Sequence, residues 1–171
     1  MLHKLTLNDF DFVYKIMEDS FPLTEFRPKN EQLALFDDKR YQIYGIFKEN
    51  QVVSFAAIWN FDDFIFVEHL ATAKDYRNCG LGASLLNEII ISTSKTVCLE
   101  VEPPVDDLTK RRIAFYERCG MNFNSYPYIQ PSISEGRMPI PLFIMTSKDK
   151  IDKHFFEKIK DLLYKNVYKV K

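Results

Sequence analysis

EHLATAKDYRNCGLGASLLNE, residues 68–88, places Gly80 and Gly82 between a strand-like run and a helix-like one, in a chain of 171 residues with five glycines. Glycine is used where the main chain turns left-handed or approaches another group closely. The stretch therefore reads as a strand, a turn and a helix, with a turn that accommodates a guest. A helix N-terminus carries unpaired N–H groups and about half a positive charge, so it receives anions. Arg77, just before Gly80, adds a full charge, and phosphate or pyrophosphate suits the arrangement. A Walker loop would need Gly-Lys-Ser/Thr where Ala83-Ser84 follow Gly82, and a dinucleotide loop needs three glycines directly after its strand. Both are excluded.

Working outward, residues 8–20 place Phe12, Val13, Ile16 and Met17 at helical spacing behind Asn8 or Asp9 as cap, and PKNEQLALFDD reads as a second, weaker helix. YQIYGIFKENQVVSFAAIWNF holds two β-rich runs around the polar Lys48-Glu49-Asn50-Gln51 and predicts an antiparallel hairpin. A strand over 64–72 leads into the glycine turn, and the stripe Leu81, Leu85, Leu86, Ile89, Ile90 predicts the helix after it. A strand over 96–102 follows. DDLTKRRIAFYERCG is a helix begun by Asp106 or Asp107 and stopped by Gly120. Residues 121–147 predict two late strands around a long proline-broken loop, and 150–168 a final amphipathic helix. The order predicts a mixed α/β sheet flanked by helices, with the 64–72 and 96–102 strands parallel. Ligands of such sheets sit where strands end and helices begin, which is where the glycine turn lies.

With 46% apolar and 15% aromatic residues, the 171 residues suit one domain spanning 1–171. The 23 basic and 24 acidic residues give a net charge of −1, so no nucleic-acid partner is expected. Cys79, Cys98 and Cys119 form no CxxC pair, and His3, His69 and His154 have no ligand spacing, so neither a disulfide framework nor a metal is expected. Asp9, Asp11 and Lys15 interrupt the N-terminal apolar residues, and no stretch approaches the ~20 apolar residues of a membrane span. The expectation is a soluble cytoplasmic protein with no membrane partner.

RNCGLG, from Arg77 to Gly82, resembles the Gln/Arg-x-x-Gly-x-Gly/Ala signature of the GNAT superfamily of acyl-CoA-dependent N-acyltransferases. HLAT before it, EVEPP after it and FYERCGM at 115–121 extend the resemblance over a core of about 5–147, with the 150–168 helix outside it. Two positions depart from the family: Thr109 stands where an Asn is common, and Arg112 where an Ala is common. These bear on contacts to the outer part of the coenzyme.

The resemblance implies a centrally splayed sheet and acetyl-CoA as acyl donor, with its pantetheine arm along Leu70, Ala71 and Thr72. Its pyrophosphate would lie on the amides of Arg77, Asn78, Cys79, Gly80, Leu81 and Gly82, with Phe115 on the helix that runs beside the coenzyme. Tyr116 fills the family's position for the acid that protonates the departing thiolate. A lysine-like amine is unprotonated in about one molecule in 2,500 at pH 7, equivalent to ~4.6 kcal/mol, so a base is useful. Alternation puts Glu68 on one strand face with Phe66 and Leu70 and makes it the leading base, directly or through water, with His69 facing opposite and packed. Glu100 and Glu102 share a face and are rivals for the base or for binding a cationic acceptor. Asp19 and Glu25 add acidic charge suited to such an acceptor. Cys79 lies in the phosphate turn and is not read as a nucleophile. Tyr126 and Tyr128, in the loop SYPYIQPSISEGRMPIPL, are expected to shape the pocket for a small-molecule or peptide amine. A homodimer is compatible with this reading, and a catalytically silent acyl-CoA-binding module is its alternative.

Overall fold

A computed structural model describes residues 2–170. The fold is mixed α/β, and its described residues contain seven strands and five α-helices. They divide into two compact units, Met1–Val97 and Cys98–Lys171.

In the first unit, Thr6 and Asp9 form a capping box around a short 3-10 turn, with the Thr6 amide donating to Asp9 Oδ2 at 2.8 Å. Helix α1, Phe10–Ser20, starts from it and buries Phe10, Val13, Ile16 and Met17. Phe12, expected on the apolar stripe, stays exposed. A segment containing the 3-10 turn Leu23–Glu25 leads to α2, Lys29–Ala34.

Strand β1, His3–Lys4, pairs antiparallel with β2, Tyr41–Lys48, which pairs with β3, Gln51–Asn60, and β3 with β4, Phe64–Thr72. The expected hairpin is present. Its two turn residues, Glu49 and Asn50, have φ of 49° and 64°, the left-handed pair that matches the twist of an antiparallel hairpin. Strand β3 is buried from Val52 to Trp59 because α1 and α3, Leu81–Ile91, both pack against it. Phe55, Trp59, Phe64, Phe66, Leu85 and Leu86 are among the large side chains of this core.

In the second unit, β7, Ile140–Ser147, pairs antiparallel with both β5, Thr96–Val101, and β6, Met121–Gln130. Helix α4, Asp107–Arg118, and helix α5, Lys153–Leu162, both pack on β6. Asp106 caps α4 by accepting from the Thr109 amide at 2.8 Å, and Gly120, at φ 82°, ends it as expected. Asp152 caps α5, which closes in a π turn, Leu163–Val167.

The long loop expected over 125–142 is shorter than the sequence suggests. Strand β6 runs through Tyr126 and Tyr128 to Gln130, so both tyrosines are strand residues rather than loop residues. Proline normally breaks a ladder, but Pro127 falls where the register slips between Asn124 and Tyr128, a place where no ladder N–H is needed.

Candidate active site

The glycine turn follows β4 through the 3-10 turn Lys74–Tyr76. Asn78 is left-handed at φ 63°, and Gly80, the residue that caps α3, is left-handed at φ 76°. A Cβ at Gly80 would meet nothing within 4 Å, so the backbone angle rather than space requires glycine there. Gly80 has no side chain to cap the helix, and the first-turn amides of α3 have no side-chain acceptor. Gly82 lies inside α3 with no left-handed angle, so its own conformation does not explain the missing side chain. The turn thus leaves the main-chain donors that open α3 without a side-chain cap.

Arg77 is not left dangling beside that turn. Its Nε donates to the Thr72 carbonyl at 3.0 Å, and Nη2 to Ser20 Oγ at 3.1 Å and to the Asp19 carbonyl at 3.4 Å. It ties the end of β4 to the C-terminus of α1, where a cation also opposes the negative end of the helix dipole. Cys79 is exposed, with its thiol on the Arg77 carbonyl.

On β4, Leu70, Ala71 and Thr72 pair with Ala56, Phe55 and Ser54 of β3. Upstream the ladder is irregular: Val67 pairs with Ile58 while His69 pairs with Ala57, which leaves Glu68 as the extra residue of a β-bulge. The alternation argument that placed Glu68 on a face with Phe66 and Leu70 therefore does not carry across this point.

The Glu68 side chain is 2% exposed. Arg27 Nη1 donates to its Oε1 at 2.6 Å, and the Trp59 indole N–H donates to Oε2 at 2.8 Å. Burial alone would push this carboxyl up, but Arg27, His69 and the Trp59 bond hold it below the usual carboxylate value. Glu68 is an ionised carboxylate with both oxygens engaged. His69 is buried beside it, its Nε2–H donating to the Glu25 carbonyl at 2.7 Å and its ring edge-on to Phe21. A carbonyl only accepts, so Nε2 carries the proton. Nδ1 lies 4.0 Å from Glu68 Oε2 and makes no hydrogen bond. Burial lowers the imidazole pKa, which the neighbouring Glu68 only partly offsets, and the ring is neutral.

In the second unit Glu100 accepts from the Tyr128 hydroxyl at 2.6 Å and from the Tyr168 hydroxyl at 2.8 and 2.7 Å. Tyr128 is 3% exposed; burial and then the Glu100 charge push its phenol far above the ordinary range, so it only donates. Tyr126 stacks on Phe156 at 4.9 Å and donates to the Ile151 carbonyl. These two expected pocket residues are thus packed on α5. Glu102 is part-exposed and paired with Arg112 at 3.3 Å.

Tyr116 is half-buried in the last full turn of α4, its ring edge-on to Phe115 at 5.2 Å. Both departures from the family pattern have local partners: Thr109 spends its hydroxyl in the α4 capping box, and Arg112 its guanidinium on Glu102. Arg27, Trp59 and Tyr168 were not foreseen as site residues. A strand tryptophan or a helix-end tyrosine reads as core, and an arginine between Phe26 and Pro28 carries no sequence signal.

Among the described residues no group of three His, Cys, Asp or Glu is placed to hold a metal ion, and no helix is long and apolar enough to cross a membrane.

Comparison with known proteins bears on the whole arrangement. The acetyltransferase (GNAT) family pattern matches residues 10–121. YjbC of Bacillus subtilis (strain 168), an acetyltransferase by assignment, is 33% identical over 107 residues, 61% of this chain and 54% of YjbC. The match thus spans about half the length of that curated relative. A solved GNAT-family protein of Bacteroides thetaiotaomicron, likewise an acetyltransferase by assignment, is 31% identical with a TM-score of 0.91, over 100% of this chain and 99% of that one. The ribosomal-protein-S18-alanine N-acetyltransferase of Escherichia coli shares the fold at a TM-score of 0.66 and 21% identity, over 89% of this chain and 95% of that one. The chain belongs to the GNAT family of acetyltransferases.

Proposed function

We propose that this protein is an acetyl-CoA-dependent N-acetyltransferase, a single catalytic domain that transfers an acetyl group to a primary amine by direct attack on the thioester. The observation that carries the reading is the left-handed, uncapped Gly80 opening α3 within the family match. The amides from Arg77 to Gly82 would receive the pyrophosphate, and main-chain groups of Leu70, Ala71 and Thr72 the pantetheine arm, with a strand N–H facing the developing oxyanion. Phe115 would line the coenzyme, and Tyr116 would give its phenolic proton to the departing thiolate.

The acceptor, a small-molecule or peptide amine, must lose a proton before it attacks. Of the carboxylates expected for that task, Glu68 and Glu100 have oxygens already bonded inside the protein, while Glu102 is part-exposed with a single surface partner. Glu102, which keeps exposed oxygens, is therefore our choice of base, acting through water.

One observation favours a second reading, a silent acyl-CoA-binding module: the carboxylate first expected to be the base is locked in a buried ion pair. Free-thiol release from acetyl-CoA across a panel of polyamines, amino acids and peptide N-termini, beside calorimetry of acetyl-CoA binding, separates the two. Turnover with at least one amine supports the enzyme; binding without turnover supports the module. Failure of acetyl-CoA to bind overturns both.

A further inference from the structure

Glu68 is the one residue of β4 that the β3 ladder leaves unpaired at the bulge, and its side chain is held from outside the sheet, by Arg27. Arg27 lies in the segment between α1 and α2 and is itself nearly buried, at 5% side-chain exposure. That segment is fastened to β4 a second time, by the bond from His69 to the Glu25 carbonyl, and to α1 by the Tyr14 hydroxyl on the Arg27 carbonyl at 3.3 Å.

Burying two charges is costly, and a pair of well-packed apolar residues would stabilise a core about as well. What the pair supplies instead is a fixed position. Trp59 and Arg27 each take one oxygen of Glu68, so the bulge has one side-chain orientation and the backbone leaving it has one path. A bulge bends its strand and re-aims the residues that follow. Those residues are Leu70, Ala71 and Thr72.

Resting on the acyl-transfer reading above, we propose that Arg27 is a positioning residue: through Glu68 it holds the β4 bulge, and so sets the line of the strand that would carry the thioester. Its removal misaligns the reacting groups without removing any group that grips the coenzyme. Turnover falls far more than acetyl-CoA affinity, because the phosphate turn is left in place.

The test uses the full chain with Arg27→Met, Arg27→Lys and Glu68→Gln. Arg27→Met lowers kcat by about 10²-fold, the loss expected from a misplacement near 1 Å, with a much smaller change in the acetyl-CoA Kd. Arg27→Lys, which can still place one cation on Glu68, recovers most of kcat. Hydrogen–deuterium exchange in Arg27→Met quickens in peptides covering 21–28 and 64–72 together and stays level in α3. An unchanged kcat, equal losses of kcat and affinity, or a lysine variant no better than methionine overturns the proposal. Should Arg27→Met not fold, the near-isosteric Glu68→Gln decides: it leaves Trp59 or Arg27 without an acceptor and must show the same kcat loss. Should the wild type turn over no amine, the acyl-transfer reading fails separately. The exchange pattern then still decides whether Arg27 holds the bulge, and unchanged exchange at 64–72 overturns that.

Discussion

The Tyr168 hydroxyl meets both carboxylate oxygens of Glu100, at 2.8 and 2.7 Å, so the segment after α5 is fastened to strand β5 near its C-terminal end. Tyr128 adds a third contact at 2.6 Å, and both rings are buried. Hydrogen bonds to a charged group contribute about 1.5–3 kcal/mol. Tyr168→Phe therefore lowers unfolding free energy by about that much, seen as a lower urea midpoint at constant m-value. Glu100→Gln retains an acceptor and costs less; Glu100→Leu, which strands two phenols, costs more. Midpoints equal to that of wild type for all three would mean that these bonds contribute nothing net.

Gly80 and Gly82 are bare for different reasons, and substitution separates them. Gly80→Ala has room for its methyl but must hold φ at 76°, which costs about 1–2 kcal/mol of stability. Gly82 sits in ordinary helix, where valine is slightly better tolerated than glycine, so Gly82→Val changes stability by less than about 0.5 kcal/mol. It puts a branched side chain where the pyrophosphate is proposed to rest, and calorimetry then shows a large loss of acetyl-CoA affinity. Unchanged affinity in Gly82→Val would remove the phosphate assignment.

Much of this was legible in the sequence because it depends on neighbours. The Glu49-Asn50 turn, the α3 stripe and the Gly120 stop are local signals, and each element formed where those signals put it. The bulge at Glu68 is not local. It exists because β3 and β4 pair out of step, and no residue type announces that. Pro127 misled for the same reason, since a proline breaks a strand only if the ladder needs its N–H, and at a register slip it does not. Arg27 illustrates the limit for sites: its partner lies 41 positions away, and only the fold joins them.

His69 and Glu68 give the first unit an acid sensitivity of defined sign. Both groups have folded pKa values below their ordinary values of 6.5 and 4.5. For each, the unfolded chain binds the proton more readily, so stability is full above the ordinary value and falls as pH drops through the folded one. The groups facing His69 are Glu68 on its own strand, and Arg27 and the Glu25 carbonyl on the segment packed against it. Wild-type stability declines in two stages, from below pH 6.5 and again from below pH 4.5. His69→Gln flattens the first stage, measured by urea unfolding between pH 7 and pH 5 at ~0.5 unit intervals. A first stage that persists in His69→Gln would show that another group titrates there.

Tyr116 tests the chemistry itself. It lies half-buried near the end of α4, with its ring set against Phe115, so Tyr116→Phe keeps the ring in place and removes one hydroxyl. If that hydroxyl delivers the proton to the departing thiolate, kcat falls by about 10²–10⁴-fold while acetyl-CoA affinity stays level. The loss should also shrink for acyl donors with a more acidic thiol, because a thiolate that leaves readily needs the proton less. Single-turnover kinetics with acetyl-CoA and with a thioester of an aryl thiol supply both measurements. An equal loss for the two donors would mean that Tyr116 positions the coenzyme rather than protonating it, and an unchanged kcat with chemistry rate-limiting would mean that water supplies the proton.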